Sequence, residues 1–283
     1  MKIYKFKSYA KINLTLNIIS KSLHTKMHRV ESLVSFIDLA DIIKISENRL
    51  QKHQVIFDGK FSNNISAENT VSKVLRQLDK KKYLKGKKYL IKITKNIPQK
   101  SGMGGGSMNA ANIFKFLIEK NLININKNEI KKITNLIGND VVLGLETKNT
   151  ILSSNGNLTK FKKKLGFHVL VVKPNFGCST KFIYSKIKLF SKAKYNNPKI
   201  SLLNRVNIIK SNNDLEKVAF KKYPKLKSLK LYLLKIKNTI FVRMTGSGSS
   251  IVAYFLSKKA AVNAAIVFKR KFKNYWCIVS KTV

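Results

Sequence analysis

"SGMGGGSMNAANIFKFLIEK", Ser101–Lys120, sets four glycines directly ahead of an amphipathic helical pattern. A loose turn hardly needs four glycines followed at once by a helix. A helix N-terminus, however, offers unpaired N–H groups and the positive end of the peptide dipole, which together favour an anion. Glycines there let a phosphate come close to the backbone. Two familiar phosphate motifs are excluded: no lysine follows the glycines as in G-x-x-x-x-G-K-[ST], and Ser107 stands where G-x-G-x-x-G needs its third glycine. What remains is Pro98, then Gln99, Lys100 and Ser101, then Gly102, Met103, Gly104, Gly105, Gly106, Ser107 and Met108. The residues point to a phosphate seat in which the Ser107 hydroxyl can serve a phosphate or Mg²⁺.

The rest of the chain bounds the class. Its 283 residues can bury a sizeable core, and 44% hydrophobic content with sixteen Phe argues for a folded protein. Cys178 and Cys277 lie far apart without metal-ligand spacing and read as buried thiols in a reducing compartment. The N-terminus alternates instead of forming an apolar signal region, and no stretch approaches the roughly 20 apolar residues of a membrane span. A soluble cytoplasmic protein with no membrane partner is expected. Lys+Arg of 57 against Asp+Glu of 13 gives +44, a balance that ordinarily suggests nucleic acid. The excess is spread along the whole chain, mostly as Lys and beside many Asn and Ile, whereas base readers lean on the planar fork of Arg. Compositional drift explains this better than a dedicated nucleic-acid function.

"KIYKFKSYAKINLTLNII" alternates as strands, interrupted near Ser8, and "VESLVSFIDLADIIKISE" and "KYLIKITK" (88–95) are strand-like. The glycine run opens a helix to about Lys120, and a second is expected from about Lys127 to Ile137, with Asn126 as N-cap and Gly138 at C′. After Phe161 the pattern restarts: "FHVLVVKP" as a strand, 180–190 as a helix, and 214–236 as two helices split at Pro224. "TIFVRM" and "SIVAYFL" read as paired strands, 258–272 as a helix and "YWCIVS" as a last strand. The expected class is α+β in two domains, 1–160 and 161–283, with 191–213 a polar surface insertion.

Three further segments hold chemistry-bearing residues. "SYAKINL" (8–14) puts Lys11 within a strand-like run. "IGNDVV" (137–142) puts Asp140 between a helix end and an apolar run, where a carboxylate near a lysine suits activation of a hydroxyl. "MTGSGSS" (244–250) is either a tight hairpin or a second backbone-rich substrate loop.

Taken together and in order, these segments resemble the GHMP kinase superfamily. "SYAKINL" is similar to its S-P-A-K-L-N-L, "IPQKSGMGGGSMNAA" to its L-P-x-x-x-G-L-G-G-G-S-S-N-A-A, and "MTGSGSS" to its third glycine-rich motif. "HRVESLVSFIDLADII" and "IGNDVV" resemble its H-E-L-Q-T-L-F-Q-F-L-D-L-x-D and L-G-A-D-V-P stretches, and the likeness covers nearly the whole chain. The resemblance implies an N-terminal half like ribosomal S5 domain 2, a ferredoxin-like C-terminal half, and ATP-dependent phosphorylation of an alcohol with Mg²⁺. The substrate implied is a small molecule, a cytidine-diphosphate conjugate, and the protein a monomer or homodimer.

Carried over by position, Asp140 takes the proton of the attacking hydroxyl, Lys11 pairs with it and stabilises the developing alkoxide, and Pro98–Met108 bind the ATP phosphates. His28 recognises cytosine, Tyr184 stacks on it, and Asn13, Gly246, Ser247 and Gly248 line the substrate cleft. Departures are Tyr9 and Val142 for prolines, Lys100 and Ser101 for loop glycines, Met108 for the second serine, and "TKMH" for D-G-Y-H, which places Met27 where a tyrosine would pack on the base. The alternatives are another small-molecule kinase of the superfamily and a basic nucleic-acid binder on an S5-like fold.

Overall fold

The alternation that begins at Tyr4 runs as one strand, β1 (Tyr4–Lys21), in the computed structural model, which describes residues 2–22 and 27–283. The expected interruption at Ser8 is absent, because its small side chain is fully buried within the strand and meets Asn112 Nδ2 at 3.4 Å. β2 (His28–Asn48) pairs with β1, and the stretch "TKMH" at its start lies partly outside the described residues. Next come β3 (Gln54–Asp58), α1 (Thr70–Lys80), β4 (Lys88–Thr94), α2 (Gly105–Glu119) and α3 (Lys127–Ile137), then a 3-10 turn at Val141–Leu145. β5 (Asn149–Leu152), β6 (Leu158–Phe161), β7 (His168–Lys173) and α4 (Thr180–Ser185) follow. A short 3-10 turn at Ile200–Leu203 leads to α5 (Arg205–Lys210), α6 (Leu215–Lys222) and α7 (Pro224–Leu234). β8 (Phe241–Met244), β9 (Ile251–Phe255), α8 (Lys258–Lys271) and β10 (Trp276–Lys281) complete the chain.

Two compact units form. The first comprises residues 1–11, 39–99 and 104–147. In it β2 runs antiparallel to β4 from Ile42↔Thr94 to Asn48↔Lys88, and β3 lies parallel to β4. A parallel pair needs a crossover, and α1 supplies it. Asn69 caps α1 with a reciprocal capping box to Ser72, which satisfies the first turn's free N–H groups. Val71, Val74, Leu75 and Leu78 of α1 pack with Ile113, Phe114 and Leu117 of α2 and with Ile43, Ile45, Ile91 and Ile93 of the strands. Asn126 caps α3 as expected, accepting from Glu129 N–H. Gly138 ends α3 in extended backbone (φ 167°), not the left-handed form expected of a C′ glycine.

The second unit comprises residues 12–38, 100–103 and 148–283. Its four-stranded antiparallel sheet has the order β10-β7-β9-β8. Numbered within the sheet this is fourth, first, third, second, with helices after the first and third strands. That is the ferredoxin-like arrangement. Leu226, Leu229 and Leu233 of α7 and Ala261, Ala264 and Phe268 of α8 share its core with Leu170, Val172, Ile251 and Ala253. The segment 191–213 is no simple surface insertion, because Tyr195, Leu203, Ile208 and Asn213 are buried and tie it to the unit. Cys178 is buried, Cys277 only partly so, and both are free.

Candidate active site

In the first unit the approach to the glycine run is anchored by a carboxylate to which the sequence motifs assign no role, although it falls on the last D of the H-E-L-Q-T-L-F-Q-F-L-D-L-x-D likeness. Asp41, fully buried on β2, accepts hydrogen bonds from the backbone N–H of Asn96 and Ile97 (both 2.8 Å) and from Asn109 Nδ2 (2.8 Å). The ammonium of Lys95, itself buried, pairs with the same carboxylate. A buried charge needs both a counter-charge and hydrogen bonds, and Asp41 has both. Its bonds fix residues 95–97 against α2, so that Pro98 enters the loop from a rigid base. Gln99 Nε2 donates to the carbonyls of Phe61 and Asn63 (2.9 and 2.7 Å).

Gly104 then turns the chain with left-handed backbone (φ 67°) and caps α2 without any side-chain hydrogen bond. The helix's own bonding starts at Met108 N–H, which donates to Gly104 O (2.8 Å). The N–H groups of Gly105, Gly106 and Ser107 therefore lie ahead of it, uncapped by any side chain, at the positive end of the dipole. Lys11 lies alongside. Its stem is so close that a Cβ on Gly104 would sit 3.0 Å from Cγ and Cε. Its Nζ pairs with Asp140 Oδ2 at 3.1 Å; the lysine side chain is 5% exposed and the carboxylate 42%. Asp140 opens the 3-10 turn Val141–Leu145. Thus Lys11, Asp140 and the start of α2 meet within one unit, with a half-open carboxylate, a sheltered ammonium and a helix N-terminus. Met108 adds no polar group here, since its side chain is buried in the core and its N–H is used within the helix.

The remaining residues from the sequence reading lie in the second unit. Residues 100–103 pack against "MTGSGSS", which does join two antiparallel strands, β8 and β9. Ser249 and Ser250 N–H donate to Lys100 and Ser101 carbonyls (3.4 and 3.2 Å), and Thr245 Oγ1 donates to Gly102 O (3.2 Å). The fit leaves no room for a side chain on Gly102, whose Cβ would lie 2.0 Å from Thr245 O. Lys100 has left-handed backbone (φ 49°), with its Cβ beside Gly177, where only a glycine leaves space. Gly246, Ser247 and Gly248 are buried, and Ser247 Oγ hydrogen-bonds Thr180 Oγ1 (2.7 Å).

Asn13 is buried as well, donating from Nδ2 to Ser32 Oγ (2.8 Å) and from its backbone to Thr245 Oγ1 (3.1 Å). His28 and Tyr184 face each other with ring centroids 5.3 Å apart. His28 Nε2 is buried and has no hydrogen-bond partner among the described residues; desolvation, then Lys21, pushes the imidazole pKa down. A neutral ring with an unused nitrogen beside an aromatic suits a heterocyclic ligand. Met27 is exposed.

Two buried charges in this unit carry no role in the sequence motifs. Glu31 accepts from Lys194 and Tyr195 N–H (2.8 and 3.0 Å), and Tyr195 donates to Thr15 Oγ1 (2.9 Å). Arg243 donates to the carbonyls of Leu14, Ile208, Ile209 and Ser211. Both Asp41 and Glu31 lie in "HRVESLVSFIDLADII", where Asp41 matches the last D of the family stretch. A second signal is scarcity: in a chain with 13 acids, a carboxylate inside an apolar strand needs partners.

The fold carries a lysine–carboxylate pair beside an uncapped helix N-terminus, an arrangement that suits a small-molecule kinase, and the family comparisons give that class. The models for the GHMP kinases N terminal domain and GHMP kinases C terminal match residues 69–150 and 200–274, and the chain belongs to the GHMP kinases. It is 58% identical over 283 residues, all of both chains, to a 4-diphosphocytidyl-2-C-methyl-D-erythritol kinase of Pelagibacter ubique. It is 33% identical to the enzyme of that name from Thermoanaerobacter pseudethanolicus, covering 90% of this chain and 88% of the relative. A crystal structure of 4-(cytidine 5'-diphospho)-2C-methyl-D-erythritol kinase superposes with a TM-score of 0.78 at 20% identity, covering 98% of this chain and 99% of that one. The α+β GHMP kinase fold expected from the sequence is therefore present. The chain is a phosphotransferase that uses ATP, as its family does.

Proposed function

We propose that this kinase transfers the γ-phosphoryl group of ATP to the 2-hydroxyl of 4-diphosphocytidyl-2-C-methyl-D-erythritol, in the non-mevalonate route to isopentenyl diphosphate. The observation that carries the reading is the pairing of Lys11 with Asp140 beside the start of α2. Asp140 accepts the proton of the attacking hydroxyl. Lys11 holds the carboxylate in place and offsets charge on the oxygen as its proton leaves. The N–H groups of Gly105, Gly106 and Ser107, with the Pro98–Met103 segment leading to them, seat the phosphates. Phosphoryl transfer asks the protein for alignment and charge stabilisation more than covalent chemistry.

Mg²⁺ accompanies the nucleotide and neutralises phosphate charge when bound. The Ser107 hydroxyl, half-exposed in the first turn of α2, is the protein group suited to hold it. Among the described residues no group of three His, Cys, Asp or Glu is placed for a metal. His28 and Tyr184 take the cytosine, and Asn13 with Gly246–Gly248 shape the substrate pocket. Among the described residues no helix is long and apolar enough to cross a membrane. We assign the protein to the cytoplasm, as a monomer or homodimer without a dedicated nucleic-acid role.

Purified protein given ATP, Mg²⁺ and 4-diphosphocytidyl-2-C-methyl-D-erythritol should release ADP, while homoserine and mevalonate should not support turnover. Turnover on either of those and not on the cytidine conjugate would overturn the substrate assignment.

A further inference from the structure

Met108 and Gly144 form a contact whose position in the first unit gives it a role. Met108 is the fourth residue of α2 and is fully buried. Gly144 lies in the 3-10 turn that Asp140 opens. A Cβ on Gly144 would lie 2.9 Å from Met108 Sδ, 3.1 Å from its Cε and 2.7 Å from Ala111 Cβ. These approaches are closer than ordinary packing allows. Gly144 does not have left-handed backbone, so glycine is required here for space and not for conformation.

A closed ring of contacts results. Asp140 pairs with Lys11, the Lys11 stem rests on Gly104, Gly104 O receives the Met108 N–H, and Met108 packs on the turn that returns to Asp140. We propose that the Met108–Gly144 contact is a positioning element that sets the spacing between the Asp140 carboxylate and the N-terminus of α2. The role rests on the kinase reading above, in which those two features are the base and the phosphate seat. Met108 thereby acts on catalysis from the core, through the turn, without touching the nucleotide. A misplacement of about 1 Å between base and phosphoryl group costs on the order of 100-fold in rate.

The test is a double-mutant cycle of Gly144→Ala and Met108→Ala, read by steady-state kinetics, ATP affinity and amide hydrogen exchange. Gly144→Ala adds a methyl group where Met108 and Ala111 already stand, so the turn must move. The expected result is a fall in kcat of roughly 10- to 100-fold, with KM for both substrates and the Kd for ATP within about threefold of wild type. Exchange at the first-turn amides of α2 should rise. In the double variant the Sδ and Cε approaches are gone, and the room left by Met108 lets the turn shift away from Ala111, whose 2.7 Å approach remains. Accordingly kcat should recover at least about fivefold over Gly144→Ala, and exchange should return toward wild type.

Additive losses in the cycle would overturn the proposal, as would activity lost only in proportion to folded protein measured by circular dichroism. Failure of the kinase reading is separable. It would appear as absence of wild-type turnover, while the exchange data still test the contact.

Discussion

Replacing Asp41 with Ala removes the acceptor of two backbone N–H groups, the Asn109 amide and the Lys95 ammonium, all within the first unit. Three of those donors sit at 2.8 Å, and both charged side chains are almost fully buried. A hydrogen bond to a charged group contributes about 1.5–3 kcal/mol. The four contributions share one carboxylate and do not add. Breaking a buried pair from one side costs about 3–5 kcal/mol, because the remaining charge stays buried without its partner. Against a domain stability of about 5–15 kcal/mol this is a large fraction. At roughly 2–4 °C per kcal/mol for a chain of this size class, the thermal midpoint should fall by about 6–20 °C. Adding Lys95→Met removes the stranded ammonium and should restore part of the loss, but not all, since the Asn96 and Ile97 N–H groups remain unsatisfied. Scanning calorimetry and urea titration of the two single variants and the double read this directly. Because residues 95–97 lead into Pro98, KM for ATP should rise in Asp41→Ala at temperatures where it is still folded. A loss under about 1 kcal/mol, or a double variant as unstable as the sum of the singles, would refute the reasoning.

Three other outcomes follow from the same geometry. His53 accepts the Tyr89 N–H at Nδ1 (3.0 Å) and lies 3.0 Å from Asp79 through Nε2, and burial, its largest influence, pulls its pKa below the usual 6.5 despite Asp79. The fold therefore favours the neutral ring: this stabilisation is complete above about pH 6.5 and is lost as pH falls from there through the lowered folded pKa. His53→Gln should flatten that part of the stability profile between pH 7 and 5 in urea titrations; an unchanged slope contradicts it. Gly104→Ala should fold, with a cost of about 1–2 kcal/mol for left-handed alanine, but lose kcat because the new methyl displaces the Lys11 stem. Gly102→Ala, facing the rigid Thr245 carbonyl, should instead fail to accumulate as folded protein, and wild-type-like yield and activity in both would refute the distinction. Glu31→Ala should cost about 2–4 kcal/mol and open residues 186–200 to limited proteolysis, since Glu31 holds the Lys194 and Tyr195 N–H groups; unchanged cleavage would exclude that anchoring role.

Much of the fold was legible because its signals are local. The long apolar strands, the Asn126 cap, the break at Pro224 and the glycine run each carry their own periodicity or punctuation. β3 and α1 escaped notice because α1 follows a polar loop and has few apolar positions outside its core face. The chain also folds into units whose residues interleave: β1 and β2 are each long enough to serve both, which no composition shift announces. Within the candidate site, the glycines and the order of the motifs pointed to Lys11 and Asp140. The supports did not show themselves. Asp41, Glu31 and Arg243 act through backbone groups far away in sequence, and such partners leave no spacing to read. Met108 and Lys100 looked like defects in a loop motif. Each is accommodated by a distant glycine, Gly144 and Gly177 respectively, so their fit lies in packing.

The central claim is that Asp140 takes the proton of the attacking hydroxyl. Single-turnover phosphoryl transfer by Asp140→Asn, with enzyme in excess over the cytidine conjugate and ATP saturating, tests it most directly. The account predicts a rate at least about 100-fold below wild type with ATP affinity retained, since the substitution keeps the side-chain shape and leaves the start of α2 untouched. A transfer rate within a few-fold of wild type would contradict it.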